Sequence, residues 1–438
     1  MSGSVRARVR LHRLTWGATA FLLLSVVAWV LVFQGFLDLH VYRTGALAWR
    51  TGVPLYSPGF AGMVPGMPLP FTYPPFAAIV FTPVQLLPWH VAKFAVTLAS
   101  AAAMAVTTTI TARRLLPDRA AANAVGMSVA ALWFVFEPAR QTIGFGQVNL
   151  VLMALVTADC LLPRTRWPRG LLIGVAAAVK LTPAVFVLFF LVRRQYRAAV
   201  TAFASFLACA LAGLALAPGD TVEYWTKTLF DPERIGGLAY AFNQNVQAVL
   251  VRLLPEGTGR TALWAALAAA VMVLAVLAAR RTRDDVTALL AIAAGGLLAS
   301  PVSWSHHWVW ILPGAVALLV HVRRGGSKTV SVIVLAIFAA GPHSWLPQTH
   351  DVERHWTWWQ HLAGSSYVLL SVIALGVLAF RVPPYRTLYG GNSGSDALVE
   401  PGGRRYRPSR SGDTGGPGTG TDRPVTSGET EDVIDTVG

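Results

Sequence analysis

Four groups of side chains have the chemistry to act on a substrate, and each lies at or within an apolar run. Asp38 opens the stretch Asp38-Leu39-His40-Val41-Tyr42, where a carboxylate can take a proton from an attacking hydroxyl. A helix cap or a solvated anchor is the structural alternative. Lys180, in Lys180-Leu181-Thr182-Pro183, is an ionisable group inside an apolar run, costly at membrane depth and so a functional candidate. Snorkelling or a polar kink also fits it. Ser300–Trp308 places His306 and His307 between Trp304 and Trp308. Imidazoles there can donate to a phosphate or orient a hydroxyl. Gly144–Asn149 adds the amides of Gln147 and Asn149, which cap helices or bind sugar hydroxyls. Arg140, just upstream, has the planar donor fork that holds phosphate.

Weaker signals surround these. Tyr73 sits in the rigid turn Phe71–Phe76, which also reads as an interfacial aromatic belt. Asn243 lies at the end of the loop 218–245, a mixture of aromatic and amide side chains suited to a sugar. Segment 341–361 is rich in Trp and His, including His343 and His350, and fits an aromatic interfacial helix. Adjacent histidines in a short connection do not supply the three or four ligands of a zinc site. No metal and no cofactor is expected, and no nucleotide-binding fingerprint is present.

The elements that must position these groups are membrane helices. The chain has 438 residues, of which 54% are hydrophobic and 13% charged. Soluble proteins carry about 25% charged residues. Apolar runs near 20 residues recur, enough for a core of roughly 30 Å. The first, Trp16 to Phe36, reads as a retained signal anchor. The net charge of +15 comes from short Arg-rich loops and a basic N-terminus. It is a topology signal, and no nucleic-acid partner is expected. Cys160 and Cys209 lie in apolar segments and read as small core residues.

Placing each basic cluster in the cytoplasm puts residues 1–15 inside and the loops 38–74, 218–245, 302–306 and 343–361 outside. Residues 16–381 form the membrane domain. Its fold class is an all-α polytopic bundle with about ten to thirteen membrane segments, some short or re-entrant. Pro183 divides 170–192 into two short halves. Residues 382–438, rich in Gly, Ser, Pro and Arg, read as a disordered cytoplasmic tail.

The ordered series Asp38–Tyr42, Phe71–Pro75, Gly146–Asn149, Lys180–Pro183, Asn243-Gln244 and Ser300–Trp308 resembles the actinobacterial polyprenol-phosphate-mannose-dependent mannosyltransferases. These belong to the C-type glycosyltransferase superfamily, and the likeness spans roughly 20–380. The resemblance implies a helical glycosyltransferase of the plasma membrane that works on its extracytoplasmic side. Polyprenol-phosphate-mannose would be the donor and a phosphatidylinositol mannoside or lipomannan-type glycolipid the acceptor, most closely with an α-1,2 link. It implies an inverting displacement with Asp38 as base and His306 or His307 as the essential imidazole. Lys180 and Arg140 would face the donor phosphate. Tyr42, Tyr73, Gln147, Asn149, Asn243 and Trp304 would contact sugar or lipid phosphate. Another polyprenol-phosphate sugar, such as arabinose, and a lipid or sugar transporter are the competing readings.

Overall fold

The computed structural model describes residues 3–33, 35–348 and 351–380. The expected tail and His350 lie outside the described residues. Within them the architecture is helical, and Asn243 and Trp304 form an isolated antiparallel bridge.

Among the described residues, five helices are long and apolar enough to cross a membrane: Val5–Val32, Trp89–Leu115, Tyr196–Leu216, Thr258–Arg281 and Ser305–Arg323. Two bent pairs raise the number to seven: Glu137–Phe145 with Asn149–Leu161 at 116°, and Trp358–Gly364 with Ser366–Phe380 at 69°. Thr182–Val192, Asp285–Ala299 and Lys328–Ala340 are apolar but short. At 1.5 Å per residue, a 15-residue helix such as Asp285–Ala299 covers about 22 Å, less than the hydrocarbon core. Broken and short helices thus take the place of uniform crossings around the site, as backbone buried in protein permits. The outward faces of the long helices remain apolar, with Leu24, Phe203, Leu211 and Val273 exposed.

The core packs Met104, Trp133, Leu150, Met153, Phe189, Leu298 and Tyr367 between the helices. Small residues allow close approach there. A Cβ added at Gly174 would lie 2.4 Å from the Ala202 carbonyl oxygen, so Leu171–Val179 and Tyr196–Leu216 meet backbone to backbone. A second core, with Tyr42, Leu55, Phe60, Phe71 and Tyr224, lies under the connections 38–74 and 218–245.

Basic residues from three clusters, Arg114, Arg193 and Arg324, meet at one end. Arg114 and Arg193 both pair with Asp285, at 2.6 and 3.0 Å. Arg193 also donates to the carbonyls of Ala279 and Asp284, and Arg324 to that of Leu115. The span Ser305–Arg323 has 19 residues, about 28 Å at helical rise. The His pair opens it and Arg323 closes it.

Candidate active site

Three breaks in helical structure place the polar groups. The first follows Val32. Phe36 adopts a left-handed conformation, φ 47° and ψ 37°, and caps the helix Leu37–Thr51. Such a residue costs about 1–3 kcal/mol. It is held because Phe36 is fully buried and its N–H donates to the Gly144 carbonyl at 2.7 Å. The helix begins at Leu37, so Asp38 falls in its first turn, where the helix dipole favours a carboxylate.

The second break is Gly146, at φ 67°, which ends Glu137–Phe145. Gln147 N–H then returns to the Thr142 carbonyl at 2.9 Å, and the chain turns through 116° into Asn149–Leu161. A Cβ at Gly146 would lie 2.9 Å from Leu39 Cβ, so only glycine lets this corner sit against the helix of Asp38. The third break is at Lys180. Helix Leu171–Val179 ends there in extended backbone, and a 3-10 turn follows over Thr182–Phe186. Pro183 lacks an N–H and disfavours helix at Thr182 before it.

These breaks open onto one cavity of about 850 Å³. Asp38, Tyr73, Gln147, Asn149 and Lys180 line it, with Trp304, His306 and His307 from the start of the Ser305–Trp310 3-10 segment. Its remaining wall is mostly apolar and includes Leu152, Met153, Val156, Phe186 and Leu297. A polar end with an apolar continuation suits a lipid carrying a polar head group.

The polar end is ordered by amides. Lys180 Nζ donates to Asn149 Oδ1 at 2.9 Å and to His307 Nε2 at 3.2 Å, and lies 5.5 Å from the Tyr73 ring centroid. An ammonium has only donors. His307 Nε2 therefore accepts, and its ring proton sits on Nδ1, which has no hydrogen-bond partner among the described residues. Asn149 Nδ2 donates to the His306 carbonyl at 3.0 Å, as does Thr142 Oγ1 at 2.8 Å. Gln147 bonds the hydroxyls of Tyr42 and Tyr73. Burial pushes the Asp38 carboxyl up to about 6, against the opposing pull of the Lys180 charge and a Gln147 hydrogen bond. Among the described residues, no three His, Cys, Asp or Glu side chains group as metal ligands.

Three expected contacts are relocated. Arg140 is off the cavity; its guanidinium donates to the carbonyls of Phe134 and Val135 at 2.9 and 2.8 Å and of Ala339 at 3.3 Å. A fork already filled by carbonyls does not clamp a phosphate in the cavity. Tyr42 is 1% exposed and supports Gln147 from behind. Asn243 is fully buried, accepting from Ser303 N–H at 2.9 Å and donating to the Leu238 carbonyl at 3.1 Å. It clips the connection 238–243 to the turn before the His pair. Among the buried acids that escaped the sequence reading, one touches the turn of the His pair. Glu137 is 2% exposed and accepts from Ser305 Oγ and Tyr367 Oη at 2.7 and 2.9 Å. Its signal was available: a lone carboxylate before a proline at the end of an apolar run.

The sequence profile of glycosyltransferase family 87 matches residues 71–303. A polyprenol-phosphate-mannose-dependent alpha-(1-2)-phosphatidylinositol mannoside mannosyltransferase of Mycobacterium tuberculosis is 40% identical over 382 residues, 81% of this chain and 88% of the relative. Its namesake in Mycolicibacterium smegmatis is 41% identical over 397 residues, 83% of this chain and 88% of the relative. A polyprenol-phosphate-mannose-dependent alpha-(1-2)-phosphatidylinositol pentamannoside mannosyltransferase of the same organism is 35% identical over 395 residues, 86% and 93% of the two chains. No solved structure matches. With a profile match over more than half its length and relatives aligned along most of it, the chain belongs to glycosyltransferase family 87.

Proposed function

We propose that the protein transfers mannose from polyprenol-phosphate-mannose to a phosphatidylinositol mannoside, forming an α-1,2 link on the extracytoplasmic side of the plasma membrane. The observation that carries this reading is the shared cavity. It holds an Asp38 carboxylate of raised basicity, a Lys180–His307 pair and an apolar wall. The names of the aligned relatives supply the donor, the acceptor class and the linkage. The separation of the cavity from the basic end of the bundle supports the sidedness, because Lys and Arg mark the cytoplasmic side. Both termini would then be cytoplasmic.

In the proposed reaction, the acceptor hydroxyl attacks the anomeric carbon and gives its proton to Asp38. The bond from that carbon to the phosphate oxygen breaks, and the electron pair leaves with the polyprenyl phosphate. Lys180 and the Nδ1–H of His307 are the donors available to the developing charge. A β-linked donor displaced once gives the α product, so no second carboxylate nucleophile is required. His306 lines the same cavity with its Nε2 unpartnered among the described residues, and its carbonyl ties the His turn to Thr142 and Asn149.

The test is an assay of membranes containing the protein with labelled polyprenol-phosphate-mannose and phosphatidylinositol mannosides separated by length. The expected product is one mannose longer and sensitive to an α-1,2-mannosidase. Transfer from polyprenol-phosphate-arabinose alone would overturn the choice of sugar.

A further inference from the structure

We infer that Glu137 is a positioning residue for the reaction, acting through Ser305 on the turn that carries His307. The inference rests on the proposed function for its kinetic readout and on geometry for the rest.

Glu137 opens the helix Glu137–Phe145, and its side chain points away from the cavity. An ionised carboxylate in an apolar interior is retained only where donors reach it. Two do: Ser305 Oγ at 2.7 Å on Oε1 and Tyr367 Oη at 2.9 Å on Oε2. His343, fully buried, brings Nε2 to 3.7 Å from Oε1. Its ring packs edge-on against Phe242 and Tyr367 at 4.8 and 5.1 Å. Tyr367 lies flat on Phe338 at 4.1 Å. The carboxylate is thus fixed by elements far apart in the chain.

Its two donors face different tasks. Tyr367 belongs to the helix Ser366–Phe380 and lies off the cavity. Ser305 lies two residues before His307, and its N–H donates to the Phe242 carbonyl at 2.7 Å. The helix of Glu137 also supplies Thr142 Oγ1 to the His306 carbonyl and leads to Asn149, which bonds that carbonyl and Lys180. Ser305 and His306 are therefore stitched to one helix–corner–helix unit by Glu137, Thr142 and Asn149. That unit also holds Lys180 against His307 Nε2. Release at Ser305 leaves Thr142 and Asn149, both acting on the His306 carbonyl, as the unit's remaining ties to the turn. A shift near 1 Å at a reacting group costs on the order of 10²-fold.

A purely stabilising Glu137 would feel the loss of either donor alike, whereas a positioning one would not. The experiment compares Ser305→Ala, Glu137→Ala, Glu137→Gln and Tyr367→Phe in membranes, with two readouts. One is kcat and acceptor KM for mannose transfer. The other is hydrogen–deuterium exchange of the segment 301–308. Ser305→Ala and Glu137→Ala are expected to lower kcat at least 10-fold with KM within twofold, and to raise exchange in 301–308. The double variant is expected to lose no more than Glu137→Ala alone. Glu137→Gln, which keeps an acceptor for Ser305, should recover most of the rate, and Tyr367→Phe should stay within twofold of the parent in both readouts. Equal losses in Ser305→Ala and Tyr367→Phe, or unchanged exchange in Ser305→Ala, overturn the inference. A parent protein that transfers no mannose overturns the substrate assignment instead, and the exchange readout still decides the role of Glu137.

Discussion

Asp285 and Asp38 are both acids near basic side chains, at opposite ends of the bundle, and they are treated differently. Asp285 is met directly by Arg114 and Arg193 at 2.6 and 3.0 Å, and Arg193 spends its other donors on carbonyls. At the cavity, Lys180 is held by a neutral amide and a ring nitrogen, and Asp38 is served by the Gln147 side chain. Amides hold these charged groups in place without neutralising them. Of these two acids, the one that braces the fold is matched to cations, and the one lining the cavity is held by a neutral amide.

Four outcomes break or sharpen that contrast. The largest loss is expected for Asp38→Asn, which removes the proton acceptor and keeps the shape: transfer should fall roughly 10²–10⁴-fold with donor binding retained. Lys180→Met comes next. It removes the cation proposed to face the departing phosphate, and kcat should fall roughly 10²–10³-fold with the fold intact by exchange or thermal melting. The pH profile of kcat/KM is a smaller lever. Asp38 acts deprotonated and its pKa is raised to about 6, so activity should be level above that pH and drop with unit slope below it. The smallest effect on turnover belongs to Arg140→Gln. Its carbonyl contacts predict lower thermal stability with donor KM unchanged. A raised donor KM would return Arg140 to the phosphate site.

Much of the site was legible in the sequence because the chemistry is unusual for its surroundings. Lys180 before a proline, the tryptophan-flanked His pair and Asp38 after an arginine-led apolar run each stand out from lipid-facing residues. Asp38, Tyr73, Gln147, Asn149, Lys180, Trp304, His306 and His307 all line one cavity. What spacing does not encode is which way a polar side chain turns inside a folded bundle. Arg140, Tyr42 and Asn243 look like ligand contacts by residue type, but they face carbonyls, a glutamine and a backbone N–H. Glu137 was passed over because its partners Ser305 and Tyr367 lie 168 and 230 residues away. Helix boundaries moved for a related reason. The break after Val32 depends on Phe36 being held left-handed by the distant Gly144 carbonyl, which no local pattern announces.

The most direct test sets the two acids side by side. Asp38→Asn and Asp285→Asn are prepared in membranes and assayed together for transfer of labelled mannose, donor binding and thermal stability. Asp38→Asn should abolish transfer at parental stability and donor binding. Asp285→Asn should retain transfer and lose stability by about 1 kcal/mol. Normal turnover by Asp38→Asn would contradict its assignment as the base.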